Sequence, residues 1–505
     1  MKLILLILAI CANVGCSLYV SRDDLLGEEK VLKRHIYRHK TMEMLHHAFR
    51  SYIENANGYD ELASLSCSGI DTLGNYSLTL IDSLDTFAVM ENLDIFKRLI
   101  DLVARVDFDL DVNVSVFETN IRIVGGLLSA HILATVNLND EEYPDDILLH
   151  KAIDVADRLL PAFRTPTGLP YGTVNLRHGV PKGETPIVCT FHLEFAWLSL
   201  LTGDSKYEEA SRRSMRALWK SRTPLGLFGS HISAETGEWT MYDCSIGGGV
   251  DSYFEYLIKV YSAFSDETEF GHWFQEVYRS VKMHLQSGSS YRDIHCLSGN
   301  VIGSAYLSLG SFWQGVKIMA GDVKEALAEM TQNLFPILRT FKFVPEMTKV
   351  SSGESRKAMR PAYPLRPEAD LGFEILDRLE EHTRVECGFA NIQDVETLVK
   401  EDKMESFFIA ETLKYLYLLF SPDSIFNSDA YIFNTEAHPF PAWSNGQLDV
   451  TATPQKSHEV KEVTFRSNDF AGDPYDMVMK GFKKGMCLKQ DFDVAKTLTL
   501  DNWRK

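Results

Sequence analysis

Apolar residues return every three or four positions over long stretches of this chain, and the stretches come in pairs. Over residues 28–55 the positions Met42, Leu45, Phe49 and Tyr52 mark one face of a helix. The same period recurs over 81–106, 118–135, 145–163, 191–202, 207–221, 251–264, 274–285, 311–341, 370–382 and 405–420. Turns bearing glycine and proline, such as Pro166-Thr-Gly-Leu-Pro170, separate them, and alternating runs of strand type are few. A helix with one apolar stripe must bury it, and pairs repeating at roughly fifty residues bury theirs by stacking into a solenoid or ring. In a closed ring the inner helices run parallel, so whatever stands at their starts gathers at one end.

Acidic residues stand at several of those starts, in Leu80-Ile-Asp-Ser-Leu-Asp85, Val116-Phe-Glu118, His192-Leu-Glu194, Val250-Asp251, Arg366-Pro-Glu368 and Met404-Glu405. Taken singly, an acid there caps free N–H groups and suits the helix dipole. Their aromatic company, Phe117, Tyr253, Phe254, Phe407 and Phe408, fits instead a pocket for a sugar ring, which has apolar faces and hydroxyls that donate to carboxylates. With 51 basic against 70 acidic residues and a net charge of −19, the chain has no electrostatic grip on nucleic acid or anionic membrane.

Residues 1–17 read as a secretory signal, with Lys2 ahead of the apolar run Leu3 to Ile10, too short to span a bilayer. No second apolar run of spanning length follows. The chain is therefore expected in the lumen of the endoplasmic reticulum, and because Asn-Trp-Arg-Lys is no retention tetrapeptide, residence there calls for a partner. Two of the eight cysteines, Cys11 and Cys16, leave with the signal; six remain, far apart and with no C-x-x-C pair, so one or two structural disulfides are expected. Of the glycan acceptor triplets, Asn75-Tyr-Ser is the candidate; Asn113-Val-Ser lies in a valine-alternating stretch that reads as buried. Residues 28–442 form the expected helical body and 443–505 a loosely ordered tail.

Several long strings resemble one family: Tyr76-Ser-Leu-Thr-Leu-Ile-Asp-Ser-Leu-Asp-Thr86, Val114-Ser-Val-Phe-Glu-Thr-Asn-Ile-Arg122, Gly249-Val-Asp-Ser-Tyr-Phe-Glu-Tyr256, Tyr363-Pro-Leu-Arg-Pro-Glu368 and Tyr431-Ile-Phe-Asn-Thr-Glu-Ala-His438. They are similar to the inverting α-1,2-mannosidases of glycoside hydrolase family 47, and within it to the degradation-enhancing α-mannosidase-like group of the endoplasmic reticulum. The resemblance implies an (α/α)7 barrel with short β-hairpins in its loops, acting on the high-mannose N-glycans of misfolded glycoproteins. It places the catalytic acids on Glu118, Asp251 and Glu368. Inverting hydrolysis needs one protonated carboxyl for the leaving oxygen and one carboxylate to activate water on the opposite face; by analogy Glu118 is the acid and Glu368 the base.

The resemblance also implies substrate contacts from Arg122, Arg366, Glu194, Glu405 and Phe407, and a calcium ion on Thr435 whose waters are held by Glu194, Glu405 and Glu436. It pairs Cys67 with Cys387 across the ring seam, and leaves a thioredoxin-like oxidoreductase open as a partner. Gly249 stands where the Golgi members carry arginine. Another departure is larger: Leu371 replaces a further active-site glutamate, and the stretch from Glu368 to Cys387 is short by about one helix. That shortening keeps a second reading open, a mannose-binding lectin-like member with weak or no turnover. An unrelated α/α barrel of cyclase type lacks support, since no Asp-Asp-x-x-Asp cluster occurs.

Overall fold

A computed structural model describes residues 28–182, 190–264, 266–349, 356–367, 372–444 and 447–448. The signal stretch, Cys189, Glu368, Leu371 and most of the tail lie outside the described residues.

Helices with one wet face form an outer layer: Glu28–Ala56, Leu93–Val103, Ile147–Leu159, Lys206–Lys220, Thr268–Ser280, Val323–Glu329 continued by Phe335–Thr340, and Phe373–His382. Helices buried nearly all round form an inner layer: Leu78–Asp82 with Leu84–Val89, Val116–Asn137, His192–Thr202, Asp251–Ala263, Phe312–Met319 and Lys414–Leu419. Outer and inner alternate along the chain up to Phe312–Met319, and the inner helices from Leu84–Val89 to Phe312–Met319 pack each beside the next, with Leu84–Val89 also against the turn Phe408–Leu413. This is the (α/α)7 barrel plan, with the small strands confined to two- and three-stranded ribbons in the loops. One inner place has no helix among the described residues: the outer helix Phe373–His382 starts only six residues after Pro367. The Val116–Asn137 helix is apolar enough to cross a membrane, but 83% of its window is buried inside the ring, so its apolarity is that of a core helix.

The expected helix over 81–106 is three pieces, because Asn92 in a turn resets the direction and the outer helix begins at Leu93. The expected helix over 311–341 is likewise broken at Gly321, whose φ of 89° is costly for any other residue. Asn113 corrects the buried reading of its stretch. It is exposed on the strand Asn113–Ser115, while Val114 points inward. Asn75 is also exposed.

Two disulfides occur among the described residues, Cys67–Cys387 and Cys244–Cys296. The first joins the loop after the first outer helix to the hairpin after the last, 320 residues apart in sequence, and so ties the seam of the ring. Cys67→Ser is expected to lower stability by ~2–4 kcal/mol, because the unfolded chain regains the entropy of a long loop. Melting curves check this: the variant should match the wild type under reduction with Cys244–Cys296 intact, and a variant melting with the oxidised wild type would overturn it.

Candidate active site

The site is built where inner helices start. Ser115 caps the Val116–Asn137 helix, its Oγ accepting the Glu118 N–H at 3.3 Å. Directly after Glu118 the helix widens into a π turn, Thr119–Val124, of the kind that re-aims side chains at functional sites. Arg122 lies in that turn. Its Nε donates to Glu118 Oε2 at 2.8 Å, its Nη1 to Glu436 and, at 3.3 Å, to Ser406, with Asp82 3.5 Å away. Burial disfavours the guanidinium charge, but Glu436, Glu118 and Asp82 around it more than compensate and keep Arg122 cationic. Glu118 is a third exposed and Arg122 only 13%, so the acid faces open space with the arginine beneath it.

A β-hairpin, Tyr431–Phe433 paired with Pro439–Pro441, enters the ring and carries the floor of the site on its turn. Two glycines of the inner helix make room: a Cβ on Gly125 would come within 2.7 Å of Asn434 Nδ2, and one on Gly126 within 3.2 Å of His438. Asn434 organises the turn. Its Oδ1 accepts the N–H groups of Glu436 and His438, both at 2.9 Å, while its Nδ2 donates to Ile121 O and to Glu194. Glu194 also accepts from Tyr256 Oη at 2.6 Å and Asn120 Nδ2 at 3.0 Å, yet burial keeps its carboxyl above the usual range. Burial likewise pushes Glu436 up, against the pull of Arg122.

Below the turn, His438 lies between Asp85, 2.9 Å from Nδ1, and Asp82, 3.2 Å from Nε2. Burial opposes charge on Asp85, but Lys414 at 2.7 Å and His438 hold it down at about 2. Since the folded value is depressed from 3.8, the stabilisation is complete above that pH and lost as pH falls toward 2, an amount on the order of 2 kcal/mol. Acid melts of wild type and Asp85→Asn should therefore differ in slope between pH 4 and 2; parallel curves would show that another group carries the acid sensitivity.

Asp251 begins the Asp251–Ala263 helix, its Oδ1 accepting the Ser252 N–H at 2.9 Å. Residues 251, 255 and 259 share one helix face. Lys259 on that face donates to Asn434 O at 3.0 Å and pairs with Glu255 at 2.7 Å, so Asp251 stands on the inner face, two turns above the floor. Gly249 just before it has φ 99°, and a Cβ there would lie 3.1 Å from Ser230 O, which leaves no place for arginine on this backbone.

Phe407 receives two guanidinium groups, Arg122 at 5.6 Å and Arg366 at 5.5 Å from its ring centroid. Arg366 donates to Glu346 at 2.7 Å. Glu405 accepts from Lys403 at 2.7 Å and Asn391 at 3.2 Å. Glu61 accepts the Ser406 N–H, and burial with Glu405 nearby raises it to about 7.

The predicted residues Glu118, Arg122 and Glu436 are thus in one chain of contacts, Glu194 and Thr435 share Tyr256, and Arg366 meets Phe407 two residues before the undescribed Glu368. Glu405 is held to one side, by Lys403. Sequence reasoning left Glu61, Asp82, Asp85 and Glu346 without roles. Asp82 and Asp85 lay in a quoted string, but Glu346 follows a proline in a loop with no period to flag it.

An ion at Thr435 would find oxygen donors. Thr435 is half-buried on the hairpin turn, carboxylates outnumber cations around it, and Asn120 Oδ1 beside Glu194 is buried without a hydrogen-bond partner. That chemistry suits a hard divalent cation. Among the described residues no group of three or more His, Cys, Asp or Glu side chains forms a ligand cluster.

The family model of glycosyl hydrolase family 47 matches residues 44–370 and 369–442. ER degradation-enhancing alpha-mannosidase-like protein 2 of Mus musculus is 42% identical over 448 residues, 80% of this chain and 77% of that protein. Alpha-mannosidase I MNS4 of Arabidopsis thaliana is 39% identical over 86% of this chain and 74% of its own length. Among solved structures, the alpha-1,2-mannosidase from Trichoderma reesei superposes with a TM-score of 0.73 at 26% identity, covering 81% of this chain and 99% of that one.

Proposed function

Because the chain belongs to glycosyl hydrolase family 47, we propose that it is an inverting α-1,2-mannosidase that trims high-mannose N-glycans on misfolded glycoproteins in the lumen of the endoplasmic reticulum. The observation that carries this reading is the chain of contacts from Glu118 through Arg122 to Glu436, which joins the proposed acid to the turn bearing Thr435. Glu118 holds the proton for the leaving oxygen, and Arg122 fixes the direction of its carboxyl. Glu368 draws the proton from the attacking water on the opposite face, and Asp251 faces the same space from the next but one inner helix. Phe407, backed by Arg122 and Arg366, offers its edge and face to the sugar ring. Thr435 would hold a calcium ion, with Glu194 and Glu436 positioning its waters; when bound, calcium supplies positive charge that orients the mannose hydroxyls. Two disulfides agree with an oxidising lumen, and a thioredoxin-like oxidoreductase stays open as a partner there.

Incubating the purified chain with a Man9 glycan and calcium tests the reading. Mannose release that falls at least ~10²–10⁴-fold in Glu118→Gln, with the first product in the β configuration, is the expected result. The inner place that has no helix among the described residues favours one other reading, a mannose-binding lectin-like protein with weak or no turnover. Binding of the glycan by the wild type without release would select it.

A further inference from the structure

The loop that enters the Asp251–Ala263 helix is built of slack. Gly247, Gly248 and Gly249 stand in a row before Val250 and Asp251, with φ of 61° at Gly248 and 99° at Gly249. Glycine has more backbone freedom to lose than any other residue, so three together hold nothing in place by themselves. Yet Asp251 is the first residue of its helix, and the place of its carboxyl follows the exit of this loop. The anchor must lie upstream. Ser245 Oγ accepts the Gly247 N–H at 3.1 Å, and Ile246 is buried beside Gly310. Before them, the strand Asp243–Cys244 pairs with Asp293–His295.

That pairing is slight. Cys244 opposite Ile294 and Asp243 opposite His295 are its two register pairs, and the third strand, Val301–Gly303, joins with an irregular register at Asp293. Ribbons this short are marginal in water. Asp243 and Asp293 also bring like charges into it, and burial together with Asp243 raises the Asp293 carboxyl. The Cys244–Cys296 disulfide holds the ribbon against this, with both cysteines fully buried and 52 residues apart in sequence. It ties the loop entering the Asp251 helix to the loop 286–311, which enters the neighbouring inner helix Phe312–Met319; the two helices meet through Phe254 and Trp313, whose ring centroids are 5.8 Å apart. A covalent reference point therefore lies seven residues before Asp251, on the far side of the glycines.

Resting on the mannosidase reading, we propose that Cys244 and Cys296 are positioning residues for the hydrolysis: their disulfide takes the slack out of the 247–249 loop and keeps the Asp251 carboxyl in its catalytic place. A disulfide with a structural role alone would lower the melting temperature and leave turnover as it is. The test is mannose release from a Man9 glycan with calcium by the full chain, with kcat and KM measured well below the melting temperature of each variant. Cys244→Ala with Cys296→Ala is expected to lower kcat about tenfold and to keep KM within about twofold, since a carboxyl out of place by an ångström loses catalysis more than affinity. Adding Gly247→Ala to that variant should return about threefold in kcat, because alanine stiffens the loop without the disulfide. The backbone accepts it there, since a Cβ on Gly247 would meet Leu307 Cδ1 at 3.8 Å. One glycine inserted between Gly248 and Gly249, with both cysteines kept, should reproduce the loss, and it carries the test even where the cysteine variant fails to fold. Unchanged kcat in the insertion or the cysteine variant would overturn the positioning role and leave the mannosidase reading standing. A loss that Gly247→Ala does not reverse would place the effect outside the loop and overturn it as well. A wild type that releases no mannose would sink the mannosidase reading itself.

Discussion

Arg122→Met is expected to cost about 3–5 kcal/mol of stability and to abolish mannose release. The arginine is nearly buried and contacts Glu118, Glu436 and Ser406, with Asp82 and the ring of Phe407 close by. Removing it leaves Glu436 and Asp82 as buried carboxylates with less positive charge between them, and a buried charge stripped of its partner costs more than the pair contributed. Arg122→Lys separates charge from shape. A lysine keeps one cation but cannot fork to three acceptors at once, so it should recover most of the melting temperature and little of the turnover. A methionine variant melting with the wild type would show that the carboxylates there share protons instead, and that Glu118 is held by something other than this arginine.

Much of this arrangement was legible in the chain before any coordinates. The three-and-four period marked the helices, but of the aromatic residues read as a sugar pocket Tyr253, Phe254 and Phe408 are buried in the core, while Phe407 lies beside Arg122 and Arg366. Widths of helical turns were not legible: the π turns at Thr119–Val124 and Phe408–Leu413 obey the same apolar spacing as an α-helix, yet they decide where Arg122 and the residues after Phe407 stand. The pair Gly125-Gly126 stands in a helix for a reason only the structure gives: the hairpin pressed against it leaves no room for a side chain. Asn113 was misjudged because period-two alternation marks a strand without saying which face is wet; Val114 is the inward residue, and Asn113 the outward one. Asp60 gave no signal at all, and Asn434, though inside a quoted string, none of its role. Asp60 works on a row of loop N–H groups and Asn434 on the N–H groups of its own turn and on Ile121 O and Glu194, and no residue pattern encodes that.

Asp60→Ala is expected to be the most disruptive single change outside the site. Asp60 is fully buried and its carboxylate is the centre of the loop before the first inner helix. Oδ2 accepts the N–H groups of Thr72, Leu73, Gly74 and Asn75 at 2.8–3.1 Å, and Oδ1 those of Tyr76 at 2.9 Å and Leu78 at 3.4 Å. Successive N–H groups pointing at one anion cannot find partners elsewhere without the loop unwinding, and each unsatisfied buried donor costs ~1–3 kcal/mol. Even with partial rehydration the loss should exceed about 4 kcal/mol, enough to unfold the loop. Asn75 and Ser77, held there at positive φ, would relax, and Tyr76, whose hydroxyl meets Thr119 beside Glu118, would lose its anchor. Asp60→Asn keeps the shape and one acceptor oxygen but brings its own donor against the row of N–H groups, so it should fall between wild type and alanine. Hydrogen exchange over residues 71–78 checks the mechanism: the amides should exchange slowly in the wild type and lose protection in Asp60→Ala before the rest of the ring does. Protection that persists there would assign the loop's order to packing of Tyr76 and Leu78, and the carboxylate to a minor part.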